Sequence, residues 1–158
     1  VSEAHPRAVL MPAEVRAVIL DHVRAGWPAE ACGLLSGRDR PDGTVRVEAA
    51  HPTANVDTSG RPDRFEVDPA ARIALTRALR GGPCRIVGHF HSHPGSDPVP
   101  SETDRRAAYE PDLVWLIIGL RGGDDPAPDL TAWAVVGPAG PEGAVGFRPV
   151  VLRVEGPI

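Results

Sequence analysis

The sequence predicts a mixed α/β (α+β) fold, a sheet covered by two or three helices. One early segment carries apolar residues at helical spacing, and strand-like apolar runs bounded by Gly, Pro and Asp recur through the rest. The two kinds of element interleave without a regular β-α-β period, and no internal repeat is present. The 158 residues can build one domain with a real hydrophobic core but not two ordinary ones, so a single domain over 1–158 is expected.

In chain order, Pro12 to Ala25 places Val15, Val18, Ile19, His22 and Val23 near helical spacing, with Pro12 at a tolerated first-turn position and Gly26 as the stop. Ala31 to Gly37 is short, apolar and bounded by turn residues, as a buried strand would be. The Pro41-Asp42-Gly43 turn leads into the alternating Thr44 to Ala50, so these two strands form an antiparallel pair. A polar stretch, Asn55 to Arg64, precedes a short strand at Arg64 to Val67. Asp68 and Pro69 then supply N-cap and N1 signals for a helix to about Arg80, ended by Gly81, Gly82 and Pro83. Further on come a strand at Arg85 to His93, a helix from Ser101 to about Tyr109, and strands at Leu113 to Leu120, Leu130 to Val136 and near Val145 to Leu152.

Composition narrows the function. A net charge of −4 lacks the clustered basic excess of a nucleic-acid binder, so protein or small-molecule partners are expected instead. No apolar run reaches a membrane-spanning length, and the amino terminus lacks a basic segment followed by a hydrophobic one; no membrane partner and a cytoplasmic address are the expectations. All 17 basic residues are Arg, Lys and Gln are absent, and Asn occurs once, at Asn55. A GC-rich genome accounts for this, and a Lys-free surface that escapes a ubiquitin-like modifier is the sharper alternative; composition does not separate them. Cys32 and Cys84 are too few for a disulfide scaffold and read as buried reduced thiols.

The chemistry concentrates in GHFHSHPGSDPVPSETD, Gly88 to Asp104. On a strand, His89, His91 and His93 share one face, and an imidazole pair at i, i+2 can close on one divalent ion. A catalytic zinc takes three protein ligands and keeps one position open. Asp104 is placed to be the third ligand, because Pro94, Pro98 and Pro100 force an irregular loop and Ser101-x-x-Asp104 opens a helix whose first turn can face the strand end. The same four residues also form a capping box, and the two roles can coexist. Parity alone leaves open whether the pair is His89 with His91 or His91 with His93.

The spacing H-x-H-P-x6-S-x2-D, here His91, His93, Pro94, Ser101 and Asp104, resembles the signature of the JAMM metalloprotease (MPN-plus) family. Upstream, Pro28, Glu30, Leu34, Leu35 and Gly37 are similar to that family's P-x-E-x-x-x-L-L-x-G segment, and Asn55 followed by Phe65, Asp68 and Pro69 looks like its bacterial branch. The resemblance implies an MPN-type curved mixed sheet flanked by helices, cytidine-deaminase-like in arrangement. It also implies a zinc-dependent hydrolase of peptide or isopeptide bonds after the carboxyl-terminal Gly-Gly of a ubiquitin-like or sulfur-carrier protein.

On that resemblance His91, His93 and Asp104 would hold Zn2+, lowering the pKa of water from about 15.7 toward roughly 7. Glu30 would take the water's proton and pass it to the departing amine, and Ser101 would donate a hydrogen bond to the oxyanion. His89 is left to packing or to support of a ligand, and Cys32 to the core. Asn55 to Arg64 and the Pro94 to Pro100 loop would line a narrow channel for the glycine tail. A cupin also carries H-x-H-P, but it needs a further histidine and none follows His93. A catalytically silent MPN scaffold would have lost a ligand or the glutamate, whereas this chain keeps all of them. Homodimerisation is left open.

Overall fold

Among the described residues, 5–108, 110–138 and 145–156, the computed structural model contains β1 (Ala8–Pro12), α1 (Ala13–Gly26), β2 (Cys32–Asp39), β3 (Val45–Thr53), α2 (Pro69–Leu79), β4 (Arg85–Pro94), α3 (Glu102–Ala107), β5 (Val114–Leu120), β6 (Asp129–Pro138) and β7 (Val145–Glu155). The strands run in the order β1-β3-β2-β4-β5-β6-β7 and close into a barrel. Closure comes from β1, which pairs in parallel with both β3 and β7. β4 and β5 are also parallel, and the remaining neighbours are antiparallel. The mixed α/β class is therefore as expected, and the curved mixed sheet goes on to close into a seven-stranded barrel.

β1 is an addition to the expected elements. Its first four residues are buried, and a strand covered on both faces shows no alternation to mark it. Pro12 consequently ends the strand and stands before α1 instead of inside it. α1 buries Val15, Ile19, Leu20 and Val23, whereas Val18 is 43 % exposed. Successive helical residues turn by about 100°, so a stripe through 15, 19, 20 and 23 leaves 18 beyond its edge. No side chain caps the helix start, and a cap is worth only about 1 kcal/mol. Four buried apolar side chains, each worth about 1.5–3 kcal/mol, are what fix α1 in place. They join a core with Met11, Leu35, Val47, Phe90, Leu116 and Ile118.

The expected β2–β3 hairpin is present, its register opposing Cys32 to Thr53 and Asp39 to Val45. The expected strand at Arg64 to Val67 is not. Only an isolated bridge, Asn55 to Val67, forms there, because the Glu66 N–H is taken by the Asn55 side chain instead of a neighbouring strand. α2 starts where Asp68 accepts the Ala70 N–H at 2.9 Å, yet it has no fully buried residue. α3 ends at Ala107, and its expected end at Tyr109 lies outside the described residues. No helix among the described residues is long and apolar enough to cross a membrane.

β4 positions the site. Phe90 faces the core with α1, as does Val87 before a bulge in the β2–β4 register; beyond that bulge His89 and His91 face the opposite side, against Trp115 and Phe65 of a second apolar cluster. The β2–β4 register opposes Cys32 to His91 and continues as a Ser92 N–H to Ala31 C=O bond of 3.0 Å. Ser92 Oγ accepts the Ala31 N–H at 2.9 Å. That double clasp brings Glu30 beside His93.

Candidate metal centre

His91 and His93 project from β4 with their Nε2 atoms 3.1 Å apart. Asp104 Oδ2, from the first turn of α3, lies 3.1 Å from His93 Nε2 and 3.4 Å from His91 Nε2. All three residues are buried. The capping box aims the carboxylate: Ser101 N–H donates to Asp104 Oδ2 at 2.8 Å, and Ser101 Oγ accepts the Asp104 N–H at 3.0 Å. Helix start and candidate ligand are thus one arrangement.

Glu30 stands a step further off, its Oε1 3.9 Å from His93 Nε2, and its Oε2 is buried with no hydrogen-bond partner among the described residues. One donor atom each from Glu30, His91 and His93 lie within 4.8 Å of one another, a grouping that could hold a metal ion. Asp104 approaches both histidines more closely than Glu30 approaches His93. Tetrahedral donors bound at roughly 2.0–2.1 Å stand about 3.3 Å apart, and the His91, His93 and Asp104 separations match that spacing, so these residues fit a small tetrahedral cation.

The surroundings set orientation and charge. His93 Nδ1 is 3.0 Å from the Asp97 carbonyl, to which it donates; with a metal bound, the neutral ring would present its Nε2 lone pair to the ion, whereas in the metal-free protein Nε2–H donates to Asp104. His91 lacks such a bond, its buried Nδ1 having no partner among the described residues. It is steadied instead by Phe65, stacked at 4.2 Å and 15°, and by Trp115 edge-on at 5.5 Å. Burial opposes charge on Asp104, but hydrogen bonds from His91 and His93 and from the Ser101 N–H hold it well below the usual carboxylate range. Glu30 is pushed up to about 8 by burial, which outweighs the pull of His93 and is reinforced by Asp104, Asp63 and Asp57. Burial lowers His91, while His93 ends above its ordinary value because Asp104, the Asp97 carbonyl and Glu30 outweigh its burial.

A cavity of about 480 Å³ opens onto the cluster, lined by Glu30, Asp63, His93, Asp97, Val99 and Ser101 among others. Pro62 and Asp63 of the Asn55 to Arg64 stretch and residues of the Pro94 to Pro100 loop form part of its wall, with Pro28 and the start of α3 supplying the rest. The structure therefore gathers Glu30, His91, His93, Ser101 and Asp104 in one place. His89 is separate: it packs edge-on against Trp115 at 4.3 Å, lines a second cavity of about 420 Å³ behind Phe65, and is held neutral by burial, at about 3. Cys32 points away toward Thr53 Oγ1, Ala54 C=O and Glu66 C=O, its thiol pushed up to about 11 by burial. What the sequence did not reveal are the supports, Phe65 against His91 and Asn55 against Glu30. Both residues stand in the Asn55, Phe65, Asp68, Pro69 pattern that resembles the bacterial branch, but that pattern assigns them no contact.

The family model of prokaryotic homologues of the JAB domain matches residues 12–136. The chain is 43 % identical over 117 residues to a Haloferax volcanii protein named desampylase, an alignment spanning 71 % of this chain and 81 % of that one. It is 30 % identical over 142 residues to the CysO-cysteine peptidase of Mycobacterium tuberculosis, covering 90 % and 89 % of the two chains. A Desulfitobacterium hafniense protein with a solution structure superposes at a TM-score of 0.73 with 31 % identity, over 93 % of this chain and 94 % of its own. The motif, the sheet that presents it and these matches agree, and the chain belongs to the prokaryotic branch of the JAB-domain family, the JAMM or MPN-plus group.

Proposed function

We propose that the protein is a zinc-dependent hydrolase that cleaves the peptide or isopeptide bond after the carboxyl-terminal Gly-Gly of a ubiquitin-like or sulfur-carrier protein. The observation that carries this reading is the convergence of His91 Nε2, His93 Nε2 and Asp104 Oδ2 within 3.1–3.4 Å beside a cavity that also holds Glu30 and Ser101. His91, His93 and Asp104 would hold the zinc, since two imidazoles and one carboxylate with an open position suit that ion better than harder divalent cations. Zinc held there supplies Lewis acidity, bringing the pKa of water toward roughly 7 and polarising the scissile carbonyl.

Glu30 is the general base. Its Oε2 has no hydrogen bond to give up among the described residues, and burial moves its pKa toward neutrality, where a base works best. A nearby cation draws that value back down, so Glu30 is ionised when it accepts the water's proton and then returns it to the departing amine. Ser101 Oγ already accepts from the Asp104 N–H, which leaves its own O–H free to donate to the oxyanion. The names of the relatives, a desampylase and a CysO-cysteine peptidase, support a carrier-protein conjugate as substrate.

The test is incubation of zinc-loaded protein with carrier fusions ending in Gly-Gly followed by a short extension, read by mass spectrometry. Cleavage after the second glycine is expected. Replacing the glycine that donates the scissile carbonyl by alanine should lower kcat/KM at least about tenfold if Pro62, Asp63 and Val99 narrow the approach. Equal turnover of Gly-Gly, Gly-Ala and Ala-Ala tails would point to a general peptidase instead.

A further inference from the structure

Glu30 lies just before β2, and neither of its main-chain groups is bonded to a neighbouring strand. Its N–H donates to the Pro62 carbonyl at 3.1 Å, and its carbonyl accepts from Asn55 Nδ2 at 3.0 Å. Both partners belong to the segment after β3 that walls the cavity. Asn55 ties that segment together as well: Nδ2 also donates to the Arg64 carbonyl at 2.9 Å, while Oδ1 accepts the Asp57 N–H at 3.1 Å and the Glu66 N–H at 2.9 Å. Two donors and two acceptor sites are the full capacity of a carboxamide. The same segment carries Phe65, which stacks on His91.

We propose that Asn55 is a positioning residue for Glu30, resting on the reading of Glu30 as the general base. It closes the 55–67 segment into a rigid loop and docks that loop on the main chain of Glu30, so the carboxylate is held at a fixed distance from His93. A base must stand within about 2.6–3.2 Å of the proton it takes, and misplacement by about 1 Å costs on the order of 10²-fold in rate. Aspartate at this position keeps both acceptor functions but loses the donation to Glu30 and Arg64, so it removes the docking bond while sparing most of the loop's own bonds.

The experiment compares Asn55→Ala and Asn55→Asp with the wild type, each zinc-loaded, on a Gly-Gly carrier fusion. Both variants should keep one zinc per chain and lose about 10- to 100-fold in kcat, with KM within about threefold. Introduced into Glu30→Gln, Asn55→Ala should change the residual rate less than about twofold, because its effect runs through Glu30. A further loss as large as in the wild type would overturn the proposal. A second readout needs no catalysis: amide hydrogen exchange at Glu30 should accelerate at least about tenfold in both variants relative to Ala31, whose N–H is held by Ser92. Unchanged exchange at Glu30, or equal acceleration at Glu30 and Ala31, would overturn the docking role even if the wild type cleaved no fusion at all. Absence of cleavage by the wild type would count against the hydrolase reading alone.

Discussion

The Phe65 ring lies against the His91 imidazole at 4.2 Å and within 15° of parallel, so an apolar side chain takes the orienting role that a hydrogen bond to Nδ1 would ordinarily fill. Such a contact is worth about 0.5–1.5 kcal/mol. Phe65→Ala should therefore weaken zinc binding about 3- to 10-fold in competition with a chelator of known affinity, while Phe65→Tyr should preserve it. Equal affinity for both variants would mean that the strand alone orients His91.

The three histidines of β4 should separate cleanly. His91→Ala or Asp104→Ala should abolish most zinc binding in elemental analysis. His89→Ala should leave one zinc per chain, because its nearest ring partner is Trp115. Loss of stoichiometric zinc in the His89 variant would make it a ligand.

Much of this centre was legible because its signals are local. A histidine pair at i, i+2 on a strand and a capping box that begins ten residues after His91 need only the strand's period and the helix's first turn to converge, while the choice of His91 with His93 and the place of Glu30 rested on the family resemblance. β1 was not legible, since Ala8 to Leu10 are buried without alternation, and barrel closure depends on Ala8 meeting Val151, a pairing with no local mark. Arg64 to Val67 has strand-like residues, but its backbone makes only the short bridge to Asn55 and Val56 and otherwise meets the Asn55 side chain, which propensity does not register.

Gly33 marks a close approach that the fold requires. A Cβ there would fall 2.4 Å from the Phe90 ring and 2.6 Å from the His51 carbonyl. Gly33→Ala should destabilise the protein by about 1–3 kcal/mol through overpacking, lowering Tm by about 2–4 °C per kcal/mol. Gly137→Ala, where a Cβ would meet nothing within 4 Å among the described residues, is the control and should leave Tm nearly unchanged. A Gly33 variant as stable as the control would show that β2 and β4 can separate without cost.

In the metal-free protein the Glu30 pKa is raised from 4.5 to about 8 by burial, so the folded state favours the protonated acid. Its contribution to stability is fully present below pH 4.5, declines as pH rises toward 8 and is lost above it. Denaturant unfolding of metal-free samples should then find Glu30→Gln more stable than wild type at pH 8, with the gap closing as pH falls to 4.5. Parallel pH profiles would contradict the burial of an uncompensated carboxyl. Asp104 acts oppositely: its depressed pKa adds stability above the ordinary carboxylate range and loses it in acid.

The central claim, that Glu30 moves the proton at a zinc site built by His91, His93 and Asp104, is tested most directly by assaying Glu30→Gln with its metal content measured in the same sample. The amide keeps the shape and removes the base. The variant should keep one zinc per chain and an unchanged fold, with a rate of cleavage after Gly-Gly lower by about 10²- to 10⁴-fold. Near-full activity with stoichiometric zinc would contradict it.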